Sequence, residues 1–433
     1  MKYHIKTFGC QMNKNDSKRI SSYLEKNNHT SVSEMKNADL IVINMCSIRQ
    51  SAVDRIYGLI PKFKKIKKEK PELKIVLTGC TLKKDQKKLK ENFDYILSKK
   101  ALQQWNEFLQ QEEWDYHPDP RNEKFNSKFN TDYLEINPKH KNSAKAYLPI
   151  STGCDNFCSF CVVPYTRGPE VSRAPKEIIK EAKELINEGV KELWLLGQNV
   201  NSYQHSLNGD EINFVDLVEK INNLKGDFWI KYTSSNPKDF TSGNIKRLSQ
   251  FEKVTPYLNL PLQSGDNEVL KKMNRPYSIE DYKKTVKEFR DNFESLSLST
   301  DIIVGFPGET KKQFNNTVEA FKDLNFDMAY IAKYSPRPQT EASELDDNVS
   351  EEEKERRAKI LNKLLEKQAL DFNKKLIGKR MKVIVLNQKD KLIGKNKYNK
   401  TVKFPGPEDL INNFVNVEIT NASAWGLTGN LEQ

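Results

Sequence analysis

Short apolar runs alternate with amphipathic stretches over the first hundred residues. Residues 3–9, 39–45 and 73–79 are rich in β-branched and aliphatic side chains and read as strands. Residues 16–26, 52–68 and 83–92 have helical spacing. Strand and helix in alternation predict a parallel sheet. Each of the three strands runs straight into a cysteine: Cys10, Cys46 and Cys80. Strand carboxyl ends lie along one edge of such a sheet, where ligands bind. The three thiols are therefore expected to converge there, with metal-cluster binding as the chemical reading. The plainer alternative is three unrelated core thiols.

Residues 112–143 break the rhythm with a polar, irregular stretch. Its scattered Trp114, Tyr116, Phe125, Phe129 and Tyr133 are expected to pack against a surface, with RNA contact as the alternative. Strand patterns resume at 147–151, 192–197, 228–233, 257–262, 296–304 and 328–334, with helical stretches between them. The helix over 175–188 carries a proline and an acid in its first turn, as helix starts prefer. Six such units predict an incomplete (βα)6 barrel, whose chemistry sits at the carboxyl ends of its strands. Those ends carry Gln198, Asn199, Ser234, Ser235, Gln263 and Ser264, with Asp301 inside the fifth strand. Residues 350–374 predict a charged packing helix with apolar positions at Ile360, Leu361, Leu364, Leu365 and Leu370. Five short strand patterns then follow, at 380–386, 392–397, 401–404, 414–422 and 427–431, and suggest a small β-barrel. Lys379, Arg380, Lys382, Lys397, Lys400 and Lys403 give it a basic character.

The expected fold is thus an α/β multidomain chain: an N-terminal parallel α/β sheet domain (1–113), a linker (114–143), a central incomplete barrel (144–374) and a C-terminal β-barrel (375–433). The densest chemistry is Cys154-x-x-x-Cys158-x-x-Cys161, in the loop after the first barrel strand. Three thiolates can hold three irons of a 4Fe–4S cluster and leave the fourth open to a substrate; a fully ligated cluster mainly passes electrons. Zinc is a competing reading, but such sites usually close with four ligands, and no histidine or further cysteine follows closely. Six cysteines are also an even set for disulfides, though sparse for a disulfide scaffold of 433 residues.

Charge adds a partner class. The chain has 71 basic and 59 acidic residues, a net charge of +12, which favours a polyanion such as nucleic acid over the alternative of a lysine-rich solvated surface. No apolar run reaches the roughly 20 residues of a membrane helix. The expected location is the reducing cytoplasm, with no membrane association.

The motifs together resemble a known family. They are Gly9-Cys10-Gln11-Met12-Asn13, Asn44-x-Cys46-Ser47-Ile48-Arg49, Thr78-Gly79-Cys80 and the stretch from Gly153 to Gly168 with its Val162-Val163-Pro164-Tyr165-Thr166-Arg167. To these are added Leu196-Gly197-Gln198-Asn199, Leu260-Pro261-Leu262-Gln263-Ser264-Gly265, Met273-Asn274-Arg275 and Thr300-Asp301 through Gly305-Phe306-Pro307-Gly308-Glu309-Thr310. Nearly the whole chain resembles the methylthiotransferases, a family of radical S-adenosylmethionine enzymes whose last domain is an RNA-binding TRAM barrel.

The resemblance implies two 4Fe–4S clusters, one on Cys154, Cys158 and Cys161 and one on Cys10, Cys46 and Cys80. It implies S-adenosyl-L-methionine as cofactor, with Phe160, Gln198, Asn199, Ser234, Gln263 and Asp301 placed to contact it. Arg167, Arg173 and Arg275 are expected near phosphate or cofactor, with salt bridging as the alternative. The implied partners are tRNA at its anticodon loop, a low-potential electron donor and a sulfur source, and a monomer is expected. Cys10-Gln11-Met12-Asn13 is similar to the branch that methylthiolates C2 of N6-isopentenyladenosine at position 37. Gln11 and Asn13 are expected either to shape the base pocket or to support the cluster. Other branches act on threonylcarbamoyladenosine or on an aspartate of a small-subunit ribosomal protein. An iron–sulfur electron carrier or RNA-binding scaffold is the non-enzymatic alternative. Asn236, Pro169 and Gln339 depart from the family pattern, none of them at a cysteine.

Overall fold

Five strands, β1 (Lys2–Phe8), β2 (Thr30–Ser31), β3 (Leu40–Cys46), β4 (Lys74–Cys80) and β5 (Tyr95–Ile96), form an all-parallel sheet in the computed structural model. Their order is β2-β1-β3-β4-β5. The structure describes residues 1–48, 50–109, 132–138, 143–207 and 209–432. Arg49, Trp114, Tyr116, Phe125 and Phe129 lie outside the described residues, as does most of the 114–143 linker. The chain divides into two compact units: residues 1–139, 151–173 and 336–343, and residues 140–150, 174–335 and 344–433.

In the first unit every residue of β3 is buried, as its unbroken apolar run requires of a central strand covered on both faces. Alternate side chains feed separate cores: Leu40 and Val42 pack with Ile20, Leu24, Val76 and Trp105, while Ile41 and Ile43 pack with Val53, Ile56, Phe63 and Leu77. Tyr133 is buried in the first of these cores. Helix α1 (Gln11–Lys26) starts earlier than its periodicity predicts, because Cys10 caps it directly. The single helix predicted over 52–68 is two, α2 (Gln50–Tyr57) and α3 (Ile60–Glu69). Pro61 cannot donate to the preceding turn, so the first helix ends and the proline opens the second. Beyond them α4 spans Lys83–Leu89.

The second unit holds the incomplete (βα)6 barrel. Its six strands form two parallel sheets in chain order: Lys145–Pro149, Glu192–Leu196 and Trp229–Tyr232, then Tyr257–Asn259, Ser297–Val304 and Met328–Lys333. The strand expected over 257–262 stops at Asn259, close to Pro261, which has no N–H to give a ladder. A hairpin, Gln204–Leu207 with Asp210–Asn213, is inserted after the second strand. The helix Glu351–Lys374 buries Leu361 and Leu365 in the unit's main core. The last five strands close into a barrel. Two of its lysines serve packing: Lys400 is buried and donates to Asp327 at 2.5 Å, and Lys382 pairs with Asp227 and lies over the Phe414 ring. Phe414 in turn packs on Trp229, ring centroids 4.7 Å apart. Among the described residues no helix is long and apolar enough to cross a membrane.

The first three barrel strands share a buried ion pair. Glu192 lies 2.6 Å from Lys231 and 3.3 Å from Lys145, and Trp194 donates its indole N–H to the carboxylate at 2.5 Å. Lys231 sits against the faces of Trp194 and Trp229. Burial opposes the Glu192 charge, but its two lysines outweigh that and hold its pKa at about 2. Burial outweighs the one carboxylate, Glu192, that faces Lys231 among the described residues, and lowers its ammonium below the usual range. A carboxyl depressed from 4.5 to about 2 stabilises the fold fully above pH 4.5 and loses that contribution as pH falls toward 2. Glu192→Gln should therefore lower the thermal midpoint most above pH 4.5, at a cost of roughly 3–5 kcal/mol for a broken buried pair. The gap to the unaltered protein should narrow between pH 4.5 and 2; a gap independent of pH would show that the carboxylate charge is not what stabilises.

Candidate functional site

The strand-end cysteines do converge. Cys46 and Cys80 are the last residues of β3 and β4 and face each other in register. Cys10 follows β1 and caps α1. The buried amide of Asn13 joins them: its Oδ1 accepts from the Cys10 N–H and lies 3.3 Å from the Cys10 Sγ, while its Nδ2 donates to Asn44 Oδ1 and Met45 O and approaches the Cys80 Sγ at 3.9 Å. Asn44 returns the bond through its own Nδ2 to Asn13 O and Ser17 Oγ. Gly79 must be glycine, since it has φ +111° and a Cβ there would stand 2.2 Å from Met45 O. Asn13 thus supports the thiols. In the sequence Asn44 stands out only within a motif; its position two residues before Cys46 on a buried strand is the signal that marks it.

The thiols are electrically unequal. The hydrogen bond that Cys46 gives to Cys80, with burial, pushes the Cys46 thiol up. The same bond, then the charges of Arg167 and Lys99, pull Cys80 down toward the thiolate despite its burial. Helix α1 supplies the carboxylate of Asp16, whose Oδ2 accepts from Lys99 at 2.5 Å and from Arg167 at 3.3 Å. All three are buried. Sequence reasoning missed Asp16 and Lys99, because a charged residue in a helix or turn reads as solvated.

Cys154, Cys158 and Cys161 lie in the same compact unit. Ser151–Thr152 pairs antiparallel with Val171–Ser172 and closes the intervening loop. Inside it, Cys154 N–H donates to Gly168 O at 3.2 Å and Cys161 N–H to Cys158 O at 2.9 Å. Gly153 makes the closure possible: φ is +85°, and a Cβ would stand 1.8 Å from Pro169 O. Cys154 is buried, which pushes its thiol up, while Cys158, Cys161 and Phe160 are half-buried. Phe157 is half-exposed, with its ring edge-on to Tyr165. All six cysteines are free of disulfides.

Among the described residues no three His, Cys, Asp or Glu side chains are grouped as ligands of one metal ion. Three thiols suit a four-iron cluster that keeps one iron open, whereas zinc sites usually close with four ligands. The donor chemistry fits as well: each set offers thiols alone, and the Cys80 set has buried cations beside it to offset an anionic cluster.

In the second unit the expected contact residues cluster at the strand ends. Ser234 and Gln263 have left-handed backbones, φ +65° and +69°, a cost that points to a functional constraint. Asn259 orders this edge: its Oδ1 accepts from Ser234 N–H and Thr233 Oγ1, and its Nδ2 reaches Ser299 Oγ and Asp301 Oδ2, both at 3.4 Å. Asn259 was overlooked because its strand was expected to run on past it. Gln263 N–H donates to Asp301 O. Asn199 is buried and gives its amide to Asp239 at 2.6 Å, and Gln198 is half-buried. Asn236, one of the departures, exchanges two hydrogen bonds with Asn201 and caps the turn at Lys238. Of the three arginines, Arg167 binds Asp16, Arg173 donates to Leu134 O, and Arg275 donates to Tyr277 Oη and Pro261 O. These partners lie within the protein, and for Arg167 the partner is a salt bridge, the alternative reading of these arginines.

Three families match in succession: the uncharacterized protein family UPF0004 over residues 2–98, the Radical SAM superfamily over 148–321 and the TRAM domain over 374–431. A tRNA-2-methylthio-N(6)-dimethylallyladenosine synthase of Clostridium botulinum is 38% identical over 99% of this chain and 96% of its own length. The protein of that name from Buchnera aphidicola is 36% identical, over 100% of this chain and 98% of its own. Among solved structures, the radical S-adenosylmethionine methyltransferase TsrM from Kitasatospora setae is similar in fold, with a TM-score of 0.56 at 12% identity over 79% of this chain and 77% of that one.

The Gly153 turn is open to a direct test. Gly153→Ala combines backbone strain with a backbone clash, whereas Gly189→Ala has a similar φ of +93° and nothing within 4 Å of the new Cβ. The second should cost about 1–3 kcal/mol, the typical strain of such a backbone. The first should cost clearly more and expose the cysteine loop to limited proteolysis. Equal thermal shifts for the two would remove the clash from the account.

Proposed function

Since the chain belongs to the methylthiotransferase family of radical S-adenosylmethionine enzymes, we propose that it adds a methylthio group to C2 of N6-isopentenyladenosine at position 37 of tRNA. The observation that carries this is the meeting of Cys10, Cys46 and Cys80 at one sheet edge, in a chain with a second set of three thiols. Cys154, Cys158 and Cys161 would hold one 4Fe–4S cluster and Cys10, Cys46 and Cys80 another. Bound there, the first supplies the electron that cleaves S-adenosyl-L-methionine to a radical, and the second supplies or carries the inserted sulfur. The target C–H is too weakly acidic for a side-chain base at neutral pH, which is why a cofactor is needed.

This chain's own residues bind and orient. Gly153 closes the loop that presents three thiols, and Asn13 holds the strand-end set in place. Asn259 fixes Ser234 and Asp301 at the barrel edge, which with Gln198, Asn199 and Gln263 suits the polar parts of S-adenosyl-L-methionine; Phe160, beside Cys161, is a further proposed contact. Base 37 lies in a single-stranded loop and can be splayed out at modest unstacking cost. The exposed Lys379, Lys397 and Lys403 of the terminal barrel suit the tRNA backbone. The matched regions support a division at 1–113, 114–143, 144–374 and 375–433. The enzyme would work in the cytoplasm, as a monomer, with a low-potential electron donor and a separate sulfur source.

Cys158→Ala should abolish release of 5′-deoxyadenosine on reduction with S-adenosyl-L-methionine. Cys46→Ala should retain release but yield no methylthio nucleoside in mass spectrometry of the tRNA. Equal loss of 5′-deoxyadenosine in both variants would contradict separate roles.

Substrate choice has its own test. An isopentenyl group needs an apolar slot, whereas threonylcarbamoyl needs a cation for its carboxylate. In parallel assays, isopentenyladenosine tRNA should be modified and threonylcarbamoyladenosine tRNA left nearly untouched. A preference for the second would reassign the substrate while leaving the chemistry intact.

A further inference from the structure

Lys99 and Arg167 are both buried and share one oxygen of a single carboxylate, Asp16. Buried positive charge beyond what a carboxylate offsets is costly unless another anion faces it. Burial opposes the Arg167 charge, and the nearby Cys80 and Asp16 lead the groups that hold it. The geometry agrees. Arg167 ends the helix Val163–Arg167, which packs on β4, the strand that ends in Cys80. Its Nη2 goes to Asp16, and its Nη1, buried with the rest of the side chain, has no hydrogen-bond partner among the described residues. A charged donor enclosed without an acceptor is rare and expensive.

We infer that Arg167 is a positioning residue for the site on Cys10, Cys46 and Cys80: its buried charge and its free Nη1–H face the anionic sulfurs held there and set how readily that site takes an electron. The inference rests on the proposed assignment of a cluster to these three cysteines. A fixed cation favours the state with one more negative charge, so Arg167 raises the reduction potential, and Asp16, on the opposite side of the balance, lowers it. Burial keeps both effects from being screened by salt.

The test uses the full chain carrying Cys154→Ala, Cys158→Ala and Cys161→Ala, so that only the strand-end thiols remain. Iron content and an EPR-monitored reductive titration are read for this parent, for Arg167→Gln, Arg167→Lys and Asp16→Asn. The parent should hold about four irons. Arg167→Gln should make reduction at least tenfold less favourable, which for one electron is a 59 mV negative shift. Arg167→Lys should recover most of it, and Asp16→Asn should shift the potential the other way. Opposite signs separate charge from general loosening, which would move both variants alike. If Arg167→Gln takes up no iron, Asp16→Asn decides alone: a positive shift supports the inference and an unmoved potential overturns it. A loaded Arg167→Gln with the parent's potential also overturns it. A parent without iron sinks the two-cluster assignment, and this inference with it.

Discussion

One carboxylate ties the first unit together. Asp16 lies on the helix that Cys10 caps, and it receives Lys99 from the segment after β5 and Arg167 from the short helix inside the cysteine loop. Three parts of the chain more than sixty residues apart thus meet at one buried oxygen. None of these charges is tolerable alone in an apolar interior. Their mutual dependence fixes α1 against β4 and the cysteine loop, and so fixes where the six thiols stand within the unit.

Around this charge centre, short-range geometry does the finer placing. Gly79 and Gly153 each sit directly before a cysteine with a left-handed backbone and a neighbouring carbonyl where a Cβ would be. The amide pair Asn13–Asn44 uses every polar atom to bridge helix, strand and thiols. Amides suit this place because they donate to sulfur without adding charge. The second unit repeats the logic: the Glu192–Lys231 pair braces the start of the barrel strands, and Asn259 orders their other end.

The terminal barrel shows how folding redistributes residues that look alike in sequence. Lys382 and Lys400 join the run of basic residues, yet both are committed to Asp227 and Asp327 within the second unit. Lys379, Lys397 and Lys403 stay exposed. Composition counts all five as one basic character; only the packing separates docking lysines from those open to an anion.

The strands that lead to Cys10, Cys46 and Cys80, the six strand-and-helix units and the terminal barrel are all legible in the sequence. Hydrophobic period and turn residues are local properties, and parallel topology then dictates that strand ends share an edge. It also carried both thiol sets, because cysteine spacing is written directly in the chain. The split of the 52–68 helix was legible in Pro61 and was overridden by the apolar period around it. Tertiary structure alone decided that Asp16, Lys99 and Arg167 are buried partners, that Asn259 is an organising residue, and that the cysteine loop packs with the N-terminal sheet's unit. A charge far along the chain has no local signature of its partner, and burial becomes visible only once the surrounding elements have closed over it.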